Sequence, residues 1–144
     1  MPETIMVRMD EDTAPRLRST VLDTADVHGL ADFYRRLLGW EFAPGNGPED
    51  VEADEWQIIR GGGQMLAFQY AREVPRSTWP DPQVPQQLHL DFTVATTAEL
   101  EECHERALAL GATLIRDESD HPDEPICVYA DPAGHPFCLF VMVW

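Results

Sequence analysis

The sequence predicts an α+β domain made of two βαβββ modules, whose mixed sheet curls around a cavity with both helices outside. Three observations carry this. Residues 87–94 alternate strictly, with Leu88, Leu90, Phe92 and Val94 set against Gln87, His89, Asp91 and Thr93, the two-residue period of a strand with one dry face. Two helix-like stretches, 26–38 and 97–110, each run into a glycine, Gly39 and Gly111. These glycines, like the turn glycines Gly63 and Gly134, stand about 70 residues apart, so the element order occurs twice.

Residues 1–15 show no period and include the acidic run Asp10-Glu11-Asp12, which predicts a peripheral arm. A strand is expected over 16–24. In the helix 26–38, Leu30, Phe33, Tyr34, Leu37 and Leu38 follow the i, i+3, i+4, i+7, i+8 spacing, with Asp26 placed to cap the start. Trp40-Glu41-Phe42 begins a short strand, and 43–55, rich in Pro, Gly and acidic residues, reads as a loop. Strands 56–60 and 65–70 flank Gly61-Gly62-Gly63, which is hairpin turn chemistry. That run lacks the Lys and Ser/Thr of a phosphate loop and joins strands instead of opening a helix.

Residues 71–85 hold Pro75, Pro80, Pro82 and Pro85 around Trp79 and read as a linker. The second pass then brings strand 87–94, helix 97–110 and strand 112–116. An acidic loop, 117–125, leads to strand 126–130, the turn Asp131-Pro132-Ala133-Gly134 and strand 136–143. The expected organisation is an arm, 1–15, and one domain, 16–144, whose modules 16–74 and 86–144 are joined by the Pro-rich linker.

At 144 residues the chain is long enough for one domain with a sizeable core. A net charge of −16 repels nucleic acid and anionic membranes, since affinity for phosphate needs clustered Lys and Arg. All ten basic residues are arginine, which excludes a lysine Schiff base or lysine general base. No apolar run approaches a membrane span, and the first residues lack the pattern of a secretory signal. Three cysteines, an odd number without close pairing, fit reduced thiols and a cytoplasmic protein.

Residues 22–40, with Asp26, Phe33-Tyr34 and Leu38-Gly39-Trp40, resemble the first module of the vicinal oxygen chelate superfamily, which comprises glyoxalase I, bleomycin-resistance proteins and extradiol dioxygenases. The stretches 87–94, 107–112 and 129–139, the last containing Asp131-Pro132-Ala133-Gly134-His135-Pro136, resemble its second module. The resemblance spans roughly residues 17–143 and implies a homodimer. It also implies four metal-ligand positions, which fall here on Ser19, Ala67, His89 and Cys138. Only His89 matches. Alanine offers no donor and a neutral hydroxyl is a poor one, so the familiar centre looks dismantled and no metal or other cofactor is expected. The alternative is one divalent metal at His89. Asp91, two positions further along the same strand face, is the residue best placed to supply another donor beside Cys138.

Strand alternation from the four positions adds Val21, Asp23, Met65, Gln69, Gln87, Asp91, Phe140 and Met142 to the cavity face. Apolar surface with a few amide, carboxylate and imidazole groups suits a small organic ligand. Taken alone, His89 reads as readily as a hydrogen-bonded residue at the core edge, and Cys138 as a small buried one. The expected ligand site is Ser19, Met65, Ala67, Gln69, Gln87, His89, Asp91, Cys138 and Phe140. If the protein is instead an enzyme, a lyase, isomerase or dioxygenase-like activity is expected, with His89 or Asp91 as general base or His89 as a metal ligand. His28, His104 and His121 read as surface, and His135 as a support for its turn. Trp56 and Trp79 read first as packing residues, with closure of the cavity as the alternative.

Overall fold

The computed structural model describes residues 13–51 and 53–142. The elements, in chain order, are β1 (Thr20–Thr24), α1 (Val27–Leu38), β2 (Glu41–Phe42), β3 (Trp56–Gly61) and β4 (Gln64–Tyr70), followed by β5 (Leu90–Val94), α2 (Thr97–Ala109), β6 (Thr113–Glu118), β7 (Ile126–Ala130) and β8 (Pro136–Val141). The first sheet has the order β1-β4-β3-β2 and the second β5-β8-β7-β6, so the βαβββ unit is repeated strand for strand. In each sheet the first strand pairs parallel with the last, and the other pairings are antiparallel. The mixed sheet is thus two separate four-stranded sheets, neither closed into a barrel. Most of the expected arm, residues 1–12, and the last residue of the expected final strand, Val143, lie outside the described residues. Among the described residues no helix is long and apolar enough to cross a membrane.

Two expected strands start later than their alternation suggests. β1 begins at Thr20, which leaves Ser19 just ahead of the ladder. β5 begins at Leu90, paired with Phe137, so Gln87 and His89 precede the strand. Continued one step back, that register would set His89 against Pro136, which has no N–H to give to a ladder.

Local chemistry accounts for the helix ends. The Asp26 carboxylate accepts from the Gly29 amide at 3.0 Å, and Gly39 closes α1 in the left-handed conformation at φ 68°. Thr96 caps α2 through the Glu99 amide at 3.1 Å, while the Glu99 carboxylate reaches back to the Ala95 amide at 2.8 Å. Gly62 and Gly63, at φ 59° and 77°, form the tight turn between β3 and β4. Gly61 makes room for the Trp40 ring, whose nearest atom would stand 2.3 Å from an added Cβ.

One apolar core serves both modules. It gathers Leu22, Leu30, Phe33, Tyr34, Leu37, Ile59, Leu66 and Phe68 with Leu100, Ala107, Tyr129, Phe137 and Leu139. Tyr34 of α1 touches both sheets. Its ring centroid lies 5.9 Å from that of Phe68 in β4, 6.2 Å from Phe92 in β5 and 6.0 Å from Phe137 in β8. The Tyr34 hydroxyl donates to the buried Asp131 carboxylate at 2.6 Å. That carboxylate also accepts from the Ala133 and His135 amides, at 2.9 and 3.0 Å. His135 Nε2 in turn donates to the Asp23 carbonyl at 2.7 Å, so the β7–β8 turn is bolted to both α1 and β1. His135 therefore supports its turn, as the sequence suggests. Burial pushes the Asp131 carboxyl above its ordinary value despite these donors, and pushes the Tyr34 phenol well above its own.

Tyr34→Phe keeps the ring and removes a donor from a buried carboxylate. Chemical denaturation should show it less stable by about 1.5–3 kcal/mol, the range for hydrogen bonds to charged groups. An unchanged midpoint would mean that the bond contributes nothing to joining the modules.

Candidate functional site

Alternation divides each strand between the shared core and an outer face. In β5, Leu90, Phe92 and Val94 pack with the core, which leaves Asp91 and Thr93 on the other side. In β8, Phe137 and Leu139 go inward, and Cys138 and Phe140 outward. β4 sends Leu66 and Phe68 to the core and presents Met65, Ala67 and Gln69 on its outer face. Both helices thus cover the faces opposite the predicted site residues. Since both core-facing sides converge on α1, the outer faces turn away from the core and stay open.

The first sheet's outer face is mainly apolar. Ala67 is fully buried in a small cluster with Ala43 and Ile58, against which Trp56 and Met65 pack. Trp56 stands opposite Gln69 in the β3–β4 register, which puts its ring on the predicted face as well as in a packing role. Ser19 is half-buried and Gln69 exposed.

The outer face of the second sheet carries the chemistry. Asp91 and Cys138 are register partners in the β5–β8 ladder, and His89 precedes Asp91 by two residues on the same side. His89 Nε2 lies 3.2 Å from Asp91 Oδ1, with both side chains about half exposed, at 41% and 51%. A ligand atom from each of His89, Asp91 and Cys138 falls within 4.8 Å of the other two. Cys138 is 8% exposed. Burial first, and then the neighbouring Asp91 carboxylate, which accepts its hydrogen bond, push the Cys138 thiol up to about 12. In the unliganded protein this is a neutral thiol, not an activated nucleophile.

The predicted residues are only partly brought together. Ser19, Met65 and Asp91 share a cavity of about 310 Å³ where the first sheet approaches β5. Gln87 lies in another, of about 380 Å³, with Val21, Asp23 and His135 against the linker residues Val74, Pro75, Val84 and Pro85. Ala67, Gln69, His89, Cys138 and Phe140 line neither of these two.

Residues of β6 and β7 also belong to the second face. Arg116 of β6 pairs with Val128 of β7, which pairs with Cys138, so Arg116, Val128, Cys138 and Asp91 form one row across the sheet. The next row is Glu118, Ile126, Phe140 and Thr93. Alternation applied to β6 and β7 as well as to β5 and β8 would have found them. Trp79 of the linker lies against this edge, its ring centroid 4.9 Å from the Arg116 guanidinium carbon.

Two of the three outlying histidines are exposed. His28 meets Asp54 at 2.6 Å, and His121 accepts from the amides of Asp123 and Glu124. His104 departs from its surface reading. It is half-buried, with Nδ1 2.6 Å from the Tyr129 hydroxyl, because α2 turns it onto β7.

Residues 19–140 match the protein family described as glyoxalase-like domain. No curated protein matches the chain. Among solved structures, it resembles a glyoxalase/bleomycin resistance protein/dioxygenase family enzyme from Burkholderia phytofirmans, with TM-score 0.67, 18% identity, and coverage of 87% of this chain and 97% of that one. A glyoxalase-related enzyme from Fulvimarina pelagi gives TM-score 0.67 and 20% identity over 90% of this chain and 89% of that one. The fosfomycin resistance protein FosX from Listeria monocytogenes, in a complex with Mn(II) and sulfate, gives TM-score 0.66 and 17% identity over 91% and 95%. At these identities the likeness is one of fold.

Because His89 and Asp91 are solvent-facing and outside the shared core, their pairing should matter little to stability. His89→Ala and Asp91→Asn are each expected to change the unfolding free energy by no more than about 1 kcal/mol, as for other exposed ion pairs. Larger losses in thermal or chemical unfolding would make the pair structural.

Proposed function

This chain belongs to the glyoxalase-like domain family, and from that premise we propose that it binds a small organic molecule on its open sheet faces, without the metal centre built from the family's four positions. The reading is carried by the second sheet's outer face. There Val128 and Cys138 make a buried apolar floor beside the half-buried Phe140, while His89 and Asp91 stand out from it as polar groups. A floor of that kind removes apolar ligand surface from water, and the imidazole and carboxylate orient the ligand's polar atoms. The resemblance's four metal positions do not fit a metal here. Ala67 is a fully buried methyl group, and Ser19, on the same side, offers only a hydroxyl.

The contact between His89 and Asp91 favours a second reading, a lyase or isomerase. A carboxylate 3.2 Å from an imidazole nitrogen can accept that nitrogen's N–H and orient the ring, which leaves the other ring nitrogen to take a proton from a bound substrate.

Thermal-shift screening of aromatic metabolites and antibiotics, with chelator present, tests the first reading. A ligand at 100 times its Kd should add about 2.7 kcal/mol of stability. Binding should weaken in His89→Ala and Gln69→Ala. Ligands that stabilise these variants as fully as the parent would place the site elsewhere. Turnover of a hit that His89→Ala abolishes would favour the enzyme.

The open faces also support a homodimer in which a second copy closes the binding surface. Sedimentation velocity at micromolar concentration should give twice the monomer mass of 16.3 kDa. A monomer throughout would leave the faces open to solvent and count against an enclosed site.

A further inference from the structure

The two helices cover their sheets unequally. α1 lies across β1, β4 and β3, whereas α2 sits chiefly over β5 and β8. Side-chain size accounts for the difference. Set in register from their N-caps, Asp26 and Thr96, the helices match Leu30 with Leu100, Phe33 with Cys103, Tyr34 with His104 and Leu37 with Ala107. Each of the last three is smaller in α2, so the space that Phe33, Tyr34 and Leu37 fill in the first module is filled less completely in the second. A cavity of about 510 Å³ remains between α2 and the β6–β7 edge, on the opposite side of the second sheet from Asp91 and Cys138.

The lining is chemically mixed. Buried Leu100 and Cys127 give it an apolar floor, and half-buried His104 forms a wall, its Nδ1 engaged by the Tyr129 hydroxyl at 2.6 Å. Glu101 lines it from the helix and Asp117 from the sheet, with hydroxyls at Thr97 and Ser119. Hydrogen bonds from the Ser119 side chain and amide hold the Asp117 carboxyl below its ordinary value, while burial pushes the Cys127 thiol up. The carboxylate is therefore charged at neutral pH and the thiol is not. None of the lining residues is an arginine. The start of α2 contributes the equivalent of about half a positive charge, too little to offset two carboxylates.

We propose that this cavity is a second binding site, which takes a small organic cation built as an ammonium group on a compact apolar body. The ammonium donates to Glu101, Asp117 and a neighbouring hydroxyl, and the apolar part covers Leu100 and Cys127. The volume falls within the range of small-molecule pockets, about 300–1,000 Å³. No lining residue is shared with the ligand site on the outer faces, so the two sites stand or fall separately.

The test is titration of the full chain, labelled with ¹⁵N, with phenethylamine, using phenylacetate and 2-phenylethanol as anionic and neutral counterparts of similar size. Phenethylamine should shift the amide signals of residues 97–104, 117–119 and 127 and bind more tightly than either counterpart. Asp117→Asn and Glu101→Gln should each weaken it about three- to fivefold, as expected for partly exposed ion pairs. His104→Tyr, which puts the first module's larger ring into the gap, should weaken all three compounds by taking up volume. Glu101 and Asp117 are exposed, so their variants remain informative if His104→Tyr folds poorly. Phenylacetate binding as tightly as phenethylamine, affinity unchanged in both carboxylate variants, or shifts spread evenly over the acidic surface would overturn the site.

Discussion

The hydrogen bond between Tyr34 and Asp131 is the constraint on which the two-module architecture rests. A carboxylate with no exposed surface is costly to bury unless donors surround it, and here they come from both halves of the chain. The turn supplies two backbone amides, but the phenol must come from α1. Forming the bond places α1 against the second sheet, and His135 adds a further link to β1. The aromatic contacts of Tyr34 with Phe68, Phe92 and Phe137 then close the core around it.

This packing decides where chemistry can occur. With the core-facing sides of both sheets largely occupied by α1, α2 and each other, polar groups are left to the outer faces and to the gap beside α2. The first sheet puts alanine, isoleucine, methionine and tryptophan there, a surface suited to contact and not to catalysis. The second puts His89, Asp91 and Cys138 there. The division of labour explains why a chain with the family's fold can lack donors at Ser19 and Ala67 and still concentrate reactive groups on one sheet.

Much of this was legible in the sequence, for reasons that differ by element. Helix α1 was marked by its apolar spacing and by Asp26 and Gly39 at its ends, and α2 by its stop at Gly111, whereas the Thr96 cap emerged only in the structure. The Gly62-Gly63 turn was marked by its need for positive φ. The late start of β5 was less visible, because the obstacle, Pro136, sits on a partner strand far along the chain and acts only through register. His104 was misread for a related reason. A histidine's spacing on a helix shows which side it faces, but not that a tyrosine hydroxyl on β7 waits there.

By itself the sequence determined which side of each strand every residue occupies, since alternation is imposed locally by the pleat. It thereby put His89 and Asp91 on one face of their strand, and Cys138 and Phe140 on one face of theirs. Only the tertiary structure decided that the two sheets do not join into one, that their outer faces stay open, and that Asp91 meets Cys138. The physical reason is that adjacency across strands depends on register and on the packing of a shared core. Both are set by groups distant in sequence, such as Tyr34 and Asp131, and local periodicity carries no record of which distant groups will meet.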